Sequence, residues 1–321
     1  MTGKPLVLSL FGKSSLQAAW EPLLSQFPGS MAIIGDAETD AGRYSSTTLG
    51  FVPDLAVISS DLYPNRGSRV IESLRAENPQ LDIVILASIE TPRISLLPLV
   101  KDRVCHFAVA DPERDMDRVR ELLRTLTANE PWKFASYLHP GSDFHEWCLY
   151  EPQQKERIIS HIEDLITGSG YDLDLLRQQG VLLADEMIEN ALQAAPNNEL
   201  SEKGIIIKAG FDGETLALQV IDKWGTLTPE KALEYMARLQ DGQVCLDLPR
   251  GRGLFILWQF FDHFHVNIIS GRETAVGGEL KRKSTLDHGR LKGFDFFHHS
   301  CSGRSHGKNL SPLYWKDTPH V

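Results

Sequence analysis

"PDLAVISSDLYPNRGSRVIESLRAENPQLDIVILAS", residues 53–88, sets two short β-branched runs on either side of a helical pattern. A strand, a helix and a second strand in so short a span form a crossover, and a crossover makes the two strands parallel. Working outward, the runs "LVLSLF" (6–11), "MAIIG" (31–35) and "CHFAV" (105–109) repeat the signal. Helices are expected after the first, third and fifth runs, so residues 1–127 read as a doubly wound α/β domain with a parallel sheet.

The whole chain has 321 residues, 42% hydrophobic and 24% charged, enough to bury two cores. Lys and Arg total 33 against 43 for Asp and Glu, a net charge of -10 that repels phosphate backbones, so no nucleic-acid partner is expected. The four cysteines, Cys105, Cys148, Cys245 and Cys301, form no CxxC pair, which fits reduced thiols. "PLVLSLFGKSS" is too short for a signal sequence, and "LDIVILASIETPRISLLPLV" is broken by Glu90 and Arg93 before it could span a bilayer. The chain therefore reads as a cytoplasmic protein without a membrane segment.

Residues 53–75, followed by "DIVILAS" and "VCHFAVADP", resemble a response-regulator receiver domain over roughly the first 125 residues, which implies a flavodoxin-like sheet. The receiver's chemistry is displaced. Ser59 or Ser60 stands where the phospho-accepting aspartate belongs, with Asp61 a position or two further on. Gly12, Lys13 and Ser14 replace the acidic pair, and Ala110 and Asp111 precede Pro112 where a lysine is expected. Aspartyl phosphorylation needs a carboxylate nucleophile, a cation held by further carboxylates and a positive charge on the product phosphate. A pseudo-receiver kept for protein contacts is expected instead. "FGKSS" is no phosphate loop either, since Val7 stands five residues before Gly12 where that motif needs glycine.

Residues 128–150 read as an ordered linker in which Trp132, Trp147 and Tyr150 pack, and residues 151–296 as a second domain. In "LLADEMIENALQAAP" (182–196), Glu186, Asn190 and Gln193 share one helix face, while Met187, Ile188, Ala191, Leu192 and Ala195 cover the other. "GIIIKAGF" and "TLALQVIDKW" read as strands joined by a turn at Asp212-Gly213, leaving Asp222 at a strand end. A helix follows near Pro229. In "PRGRGLFILWQFFDHFHV", Gly251 and Gly253 let backbone approach a ligand, and the next helix aims its N-terminal amides at any phosphate there. "FHVNIISGRETAVGGELK" reads as a hairpin with Thr274 near its turn.

In this order the features resemble a GHKL-type (histidine-kinase-like) ATPase domain of the anti-sigma-factor serine kinase branch, over about residues 151–285. The resemblance implies an α/β sandwich that binds ATP with Mg2+. "DEMIEN" is similar to the N box, which makes Glu186 the general base and Asn190 the Mg2+ ligand. "VIDKWG" is similar to the first glycine box, with Asp222 on adenine and Gly225 beside it; the usual box glycines are here Trp224 and Thr226. Trp224 either stacks on adenine or fills the pocket. "GRGLF", with Gly251 and Gly253, is similar to the second glycine box, and Thr274 would line the adenine pocket. Phosphoryl transfer needs a metal, amides around the phosphates and a base near the incoming hydroxyl, and this set supplies them.

The expected function is a signalling regulator, a serine or threonine kinase acting on a protein partner. The alternative is a non-catalytic adaptor that uses both domains as contact surfaces, with nucleotide absent or only structural. A homodimer is compatible with either. His161 in "SHIEDL" reads as a helix-surface residue, "FDFF" as a last strand, and residues 297–321 as a basic tail whose histidines hold no metal.

Overall fold

The structure is a computed structural model that describes residues 6–27, 31–34, 51–63, 65–91, 95–113, 115–128, 132–196, 199–240, 252–283 and 291–299. In the first half, β1 (Val7–Phe11), β2 (Met31–Ile34), β3 (Leu55–Ser59), β4 (Asp82–Ala87) and β5 (His106–Val109) pair in parallel in the order β2-β1-β3-β4-β5. That order is the flavodoxin-like one. Helices α1 (Ser14–Leu24), α2 (Asn65–Glu77), α3 (Leu97–Lys101) and α4 (Met116–Ala128) connect or follow the strands. β1 and β3 are buried along their whole length, as parallel strands covered on both faces must be. Alternate side chains serve different cores: Val7 and Phe11 join one, Leu8 and Leu10 the other.

The second half contributes β6 (His145–Leu149), β7 (Ile205–Phe211), β8 (Thr215–Asp222), β9 (His263–Ile269), β10 (Glu273–Lys281) and β11 (Gly293–His299). Its helices are α5 (Lys155–Leu165), α6 (Tyr171–Ala194), α7 (Leu200–Lys203), α8 (Pro229–Gln240) and α9 (Arg252–Phe260). Among the described residues, no helix is long and apolar enough to cross a membrane. The apolar faces of α5, α6, α8 and α9 enter a single core, so the helices layer on one face of the sheet. Trp132, Phe134, Tyr137 and Leu138 cover part of the other face.

The two halves, expected as separate domains, share one eleven-stranded sheet of order β2-β1-β3-β4-β5-β11-β9-β10-β8-β7-β6. β11 makes the join. It pairs in parallel with β9 from Gly293 opposite His263 to His299 opposite Ile269, and antiparallel with β5 through Phe294 opposite Phe107 and Asp295 opposite His106. β11 runs past residue 296, and the 128–150 connection contains the edge strand β6. α3 also packs on α8 across the halves. There Cys105 is pushed up to about 12 by burial and by the Glu230 carboxylate of α8.

Candidate functional site

On α6, Glu186 and Asn190 lie one turn apart and meet the first turn of α9. A Cβ at Gly253 would fall 2.3 Å from Glu186 Oε1, 2.5 Å from Asn190 Nδ2 and 2.8 Å from Asn190 Oδ1. Glycine at 253 is what lets the α9 N-terminus sit against this carboxylate and amide. The neighbouring acids of α6 are engaged elsewhere, since Lys155 Nζ of α5 lies 2.7 Å from Asp185 Oδ1 and 3.3 Å from Glu189 Oε2. Gln193, expected on the same face, turns its Nε2 to Glu189 instead. Asn190 Nδ2 is buried and has no hydrogen-bond partner among the described residues. Gly251 lies outside them.

The strand ends supply a second group. Asp222 of β8 stands opposite Thr274 of β10 in the register. Its Oδ1 accepts the backbone N–H of Trp224 at 2.9 Å and of Gly225 at 3.3 Å, a local turn of the kind aspartate favours. Burial raises the Asp222 carboxyl, and those two N–H groups only partly offset it. The buried Thr274 faces this carboxylate, and its hydroxyl and backbone N–H also favour the charged form. Of the two roles open to Trp224, packing is the one the geometry favours: the indole is 6% exposed, belongs to the core, and donates from Nε1 to Glu199 Oε2 at 3.1 Å. Gly225 has φ +57°, and its carbonyl accepts the Gly271 N–H of the β9–β10 turn at 3.1 Å. Its missing side chain serves that turn.

At the carboxyl ends of the parallel strands, Asp61 lies over Gly12, whose Cβ would come within 2.7 Å of Asp61 Oδ2. Ser59 is buried, and Ser60 Oγ lies 3.4 Å from Thr91 Oγ1. Among the described residues no group of three or more His, Cys, Asp and Glu side chains converges as a metal site. His298, expected in a free tail, sits in β11 with Nε2 2.7 Å from Ser270 Oγ.

A third cluster went unnoticed in the sequence. At the seam between the halves, the fully buried Asp295 of β11 takes His106 Nδ1 of β5 on Oδ1 at 3.0 Å, and His263 Nε2 of β9 lies 2.8 Å from its Oδ2. Burial pushes the Asp295 carboxyl up, but the two histidines outweigh it and hold the group well below the usual carboxylate range. Arg118 Nη1 lies 2.7 Å from His263 Nδ1; a guanidinium only donates, so Nδ1 accepts and the ring proton sits on Nε2, facing Asp295. Next to it, His265 contacts Tyr137 Oη at 2.5 Å and Gln219 Nε2 at 3.0 Å. The legible signal was polar residues at every second position, "HFHVN" in β9 and Asp295 between phenylalanines, inside strands too apolar to be half exposed.

No protein-family model and no curated protein matches the chain. Among solved structures, a putative pilus assembly-related protein from Burkholderia pseudomallei aligns over 41% of this chain and 96% of its own, at 16% identity and a TM-score of 0.31. The isolated REC domain of RcsB from Salmonella enterica serovar Typhimurium aligns over 38% and 90%, at 12% identity and a TM-score of 0.28. The RcsB response regulator of Salmonella typhimurium aligns over 62% and 98%, at 8% identity and a TM-score of 0.30. Receiver domains are thus among the structures this chain is similar to. The strand order of the first half, β2-β1-β3-β4-β5, is itself the flavodoxin-like one.

Proposed function

We propose that the second half binds ATP with Mg2+ where α6, the α9 N-terminus and the ends of β8 and β10 approach, and that the chain is a cytoplasmic signalling regulator acting on a protein partner. The observation that supports this reading is that Asn190, singled out for nucleotide contact, keeps a buried Nδ2 without a partner among the described residues, a donor that a phosphate oxygen would satisfy while Oδ1 is the atom able to hold a cation. A buried polar atom left so loses about 1–3 kcal/mol unless something satisfies it. In this reading Asn190 holds the cation, the α9 amides beside Gly253 take phosphate oxygens, and Asp222 and Thr274 meet the adenine edge. Glu186 accepts the proton of an incoming serine or threonine hydroxyl. The receiver-like half, with Asp61 displaced from the phospho-accepting position, serves contacts rather than phosphorylation.

The buried indole of Trp224 favours a second reading, the adaptor, in which nucleotide is absent or only structural. Calorimetric titration of the full chain with MgATP separates the two. Saturable heat that disappears in Asn190→Ala supports nucleotide binding, and a flat trace removes it. Glu186→Gln that binds MgATP yet transfers no phosphate supports the kinase; undiminished transfer would rule out Glu186 as base.

A further inference from the structure

We propose that the cleft between α2 and α3 docks an acidic, extended segment of a partner protein. This cleft, of about 890 Å³, lies in the first half, away from the residues of the nucleotide reading, and does not depend on that reading. Its walls carry four cations, Arg69, Arg75, Lys101 and Arg103, against Glu72 and Asp102. Asp102 keeps its charge, with its side-chain hydrogen bonds made inside the first half. Its Oδ2 accepts Tyr63 Oη at 3.0 Å and also the Ser68 hydroxyl, so the carboxylate is engaged inward.

Arg75 is held in place rather than free. Its Nη1 donates to the Asp102 carbonyl and its Nη2 to the Arg103 carbonyl at 3.0 Å, pinning the α3–β5 turn against α2. Arg103 sits in that turn at φ +49°, a left-handed conformation that a residue with a side chain seldom adopts. The turn is thereby fixed as one rim of the cleft. Arg69, Lys101 and Arg103 are exposed, and none of their side chains makes a hydrogen bond or ion pair with a described residue.

Four cations against two carboxylates leave two positive charges in excess, a local positive field on a chain of net charge -10. A long polyanion touching the rest of the surface is repelled, whereas a short acidic segment confined to the cleft is not. Leu97, 50% exposed on the same wall, offers contact to one apolar side chain of that segment. Charge complementarity therefore selects an acidic peptide with an apolar residue over nucleic acid.

The test is fluorescence anisotropy of the full chain with a short fluorescein-labelled peptide of glutamates around a central leucine. Binding should weaken about tenfold or more in Arg69→Glu with Lys101→Glu, and similarly when NaCl is raised from about 0.05 to about 0.3 M. The exposed pair Arg124→Glu with Arg157→Glu changes net charge equally and should leave binding intact; circular dichroism checks that both variants fold. Arg103→Gly suits the left-handed backbone and should weaken binding without loss of fold. Equal affinity in the cleft and control variants would overturn the proposal. So would displacement of the peptide by inorganic phosphate, or equal binding of a single-stranded oligonucleotide of the same charge. A flat MgATP titration leaves each of these outcomes readable.

Discussion

A methyl group at position 225 would land 2.3 Å from the Ile269 carbonyl oxygen and 2.7 Å from the Arg272 amide nitrogen, backbone atoms that cannot turn aside. At position 253 the same methyl would meet only the ends of the Glu186 and Asn190 side chains, which can rotate away. Gly225→Ala should therefore lower stability by about 2 kcal/mol or more, and Gly253→Ala by about 1 kcal/mol or less, read by urea denaturation. The order reverses for MgATP binding, which Gly253→Ala should weaken by displacing Asn190. His265 behaves differently again. Burial moves it to about 3, with His263 pushing the same way and Asp295 partly opposing, while Tyr137 and Gln219 close around it. An unfolded imidazole titrates near 6.5, so between the two values only the unfolded chain binds this proton. The stability is complete above pH 6.5 and declines by up to about 1.4 kcal/mol per pH unit as pH falls toward 3. Melting temperature should fall between pH 7 and pH 5, and His265→Gln should flatten that slope; an unchanged slope would refute the assignment.

Among the elements, β11 has the largest consequence for its length. Its seven residues pair with β9 in parallel, Phe294 and Asp295 also pair with β5 antiparallel, and the buried Asp295 places its charge between a histidine from each half. Removing that charge leaves two imidazoles oriented around nothing. Asp295→Asn should destabilise the chain by about 3 kcal/mol, in the range for breaking a buried ionic contact, with β5 and β11 amides losing exchange protection before β1 and β3. Equal protection loss across all four strands would place the cost elsewhere. α6 shows how its polar stripe divides: Asp185 and Glu189 tie it to α5 through Lys155, and Glu186 and Asn190 turn toward α9.

At the scale of the molecule, one sheet and cores that run through both halves predict one cooperative unit. Lys281 of β10 reaches Asp115 beside α4 at 3.3 Å, a further tie across the seam. Differential scanning calorimetry of the full chain should show a single transition whose calorimetric and van't Hoff enthalpies agree. Two resolved transitions would mean that β11 does not couple the halves.

The strand runs at residues 55–59, 82–87, 205–211 and 215–222 and the stripe of Glu186 and Asn190 were all readable, because β-branched apolar runs mark buried strands and period 3.6 records which face of a helix is buried. By itself the sequence determined most of the elements, though not the edge strand β6, together with the doubly wound first half and the side chains worth testing as a site. Only the tertiary structure decided that β11 pairs with β5, that Trp224 is buried, and that Gly225 answers to the hairpin turn. The physical reason is that strand pairing runs through backbone groups every residue carries, and close approach depends on what arrives from the far end of the chain.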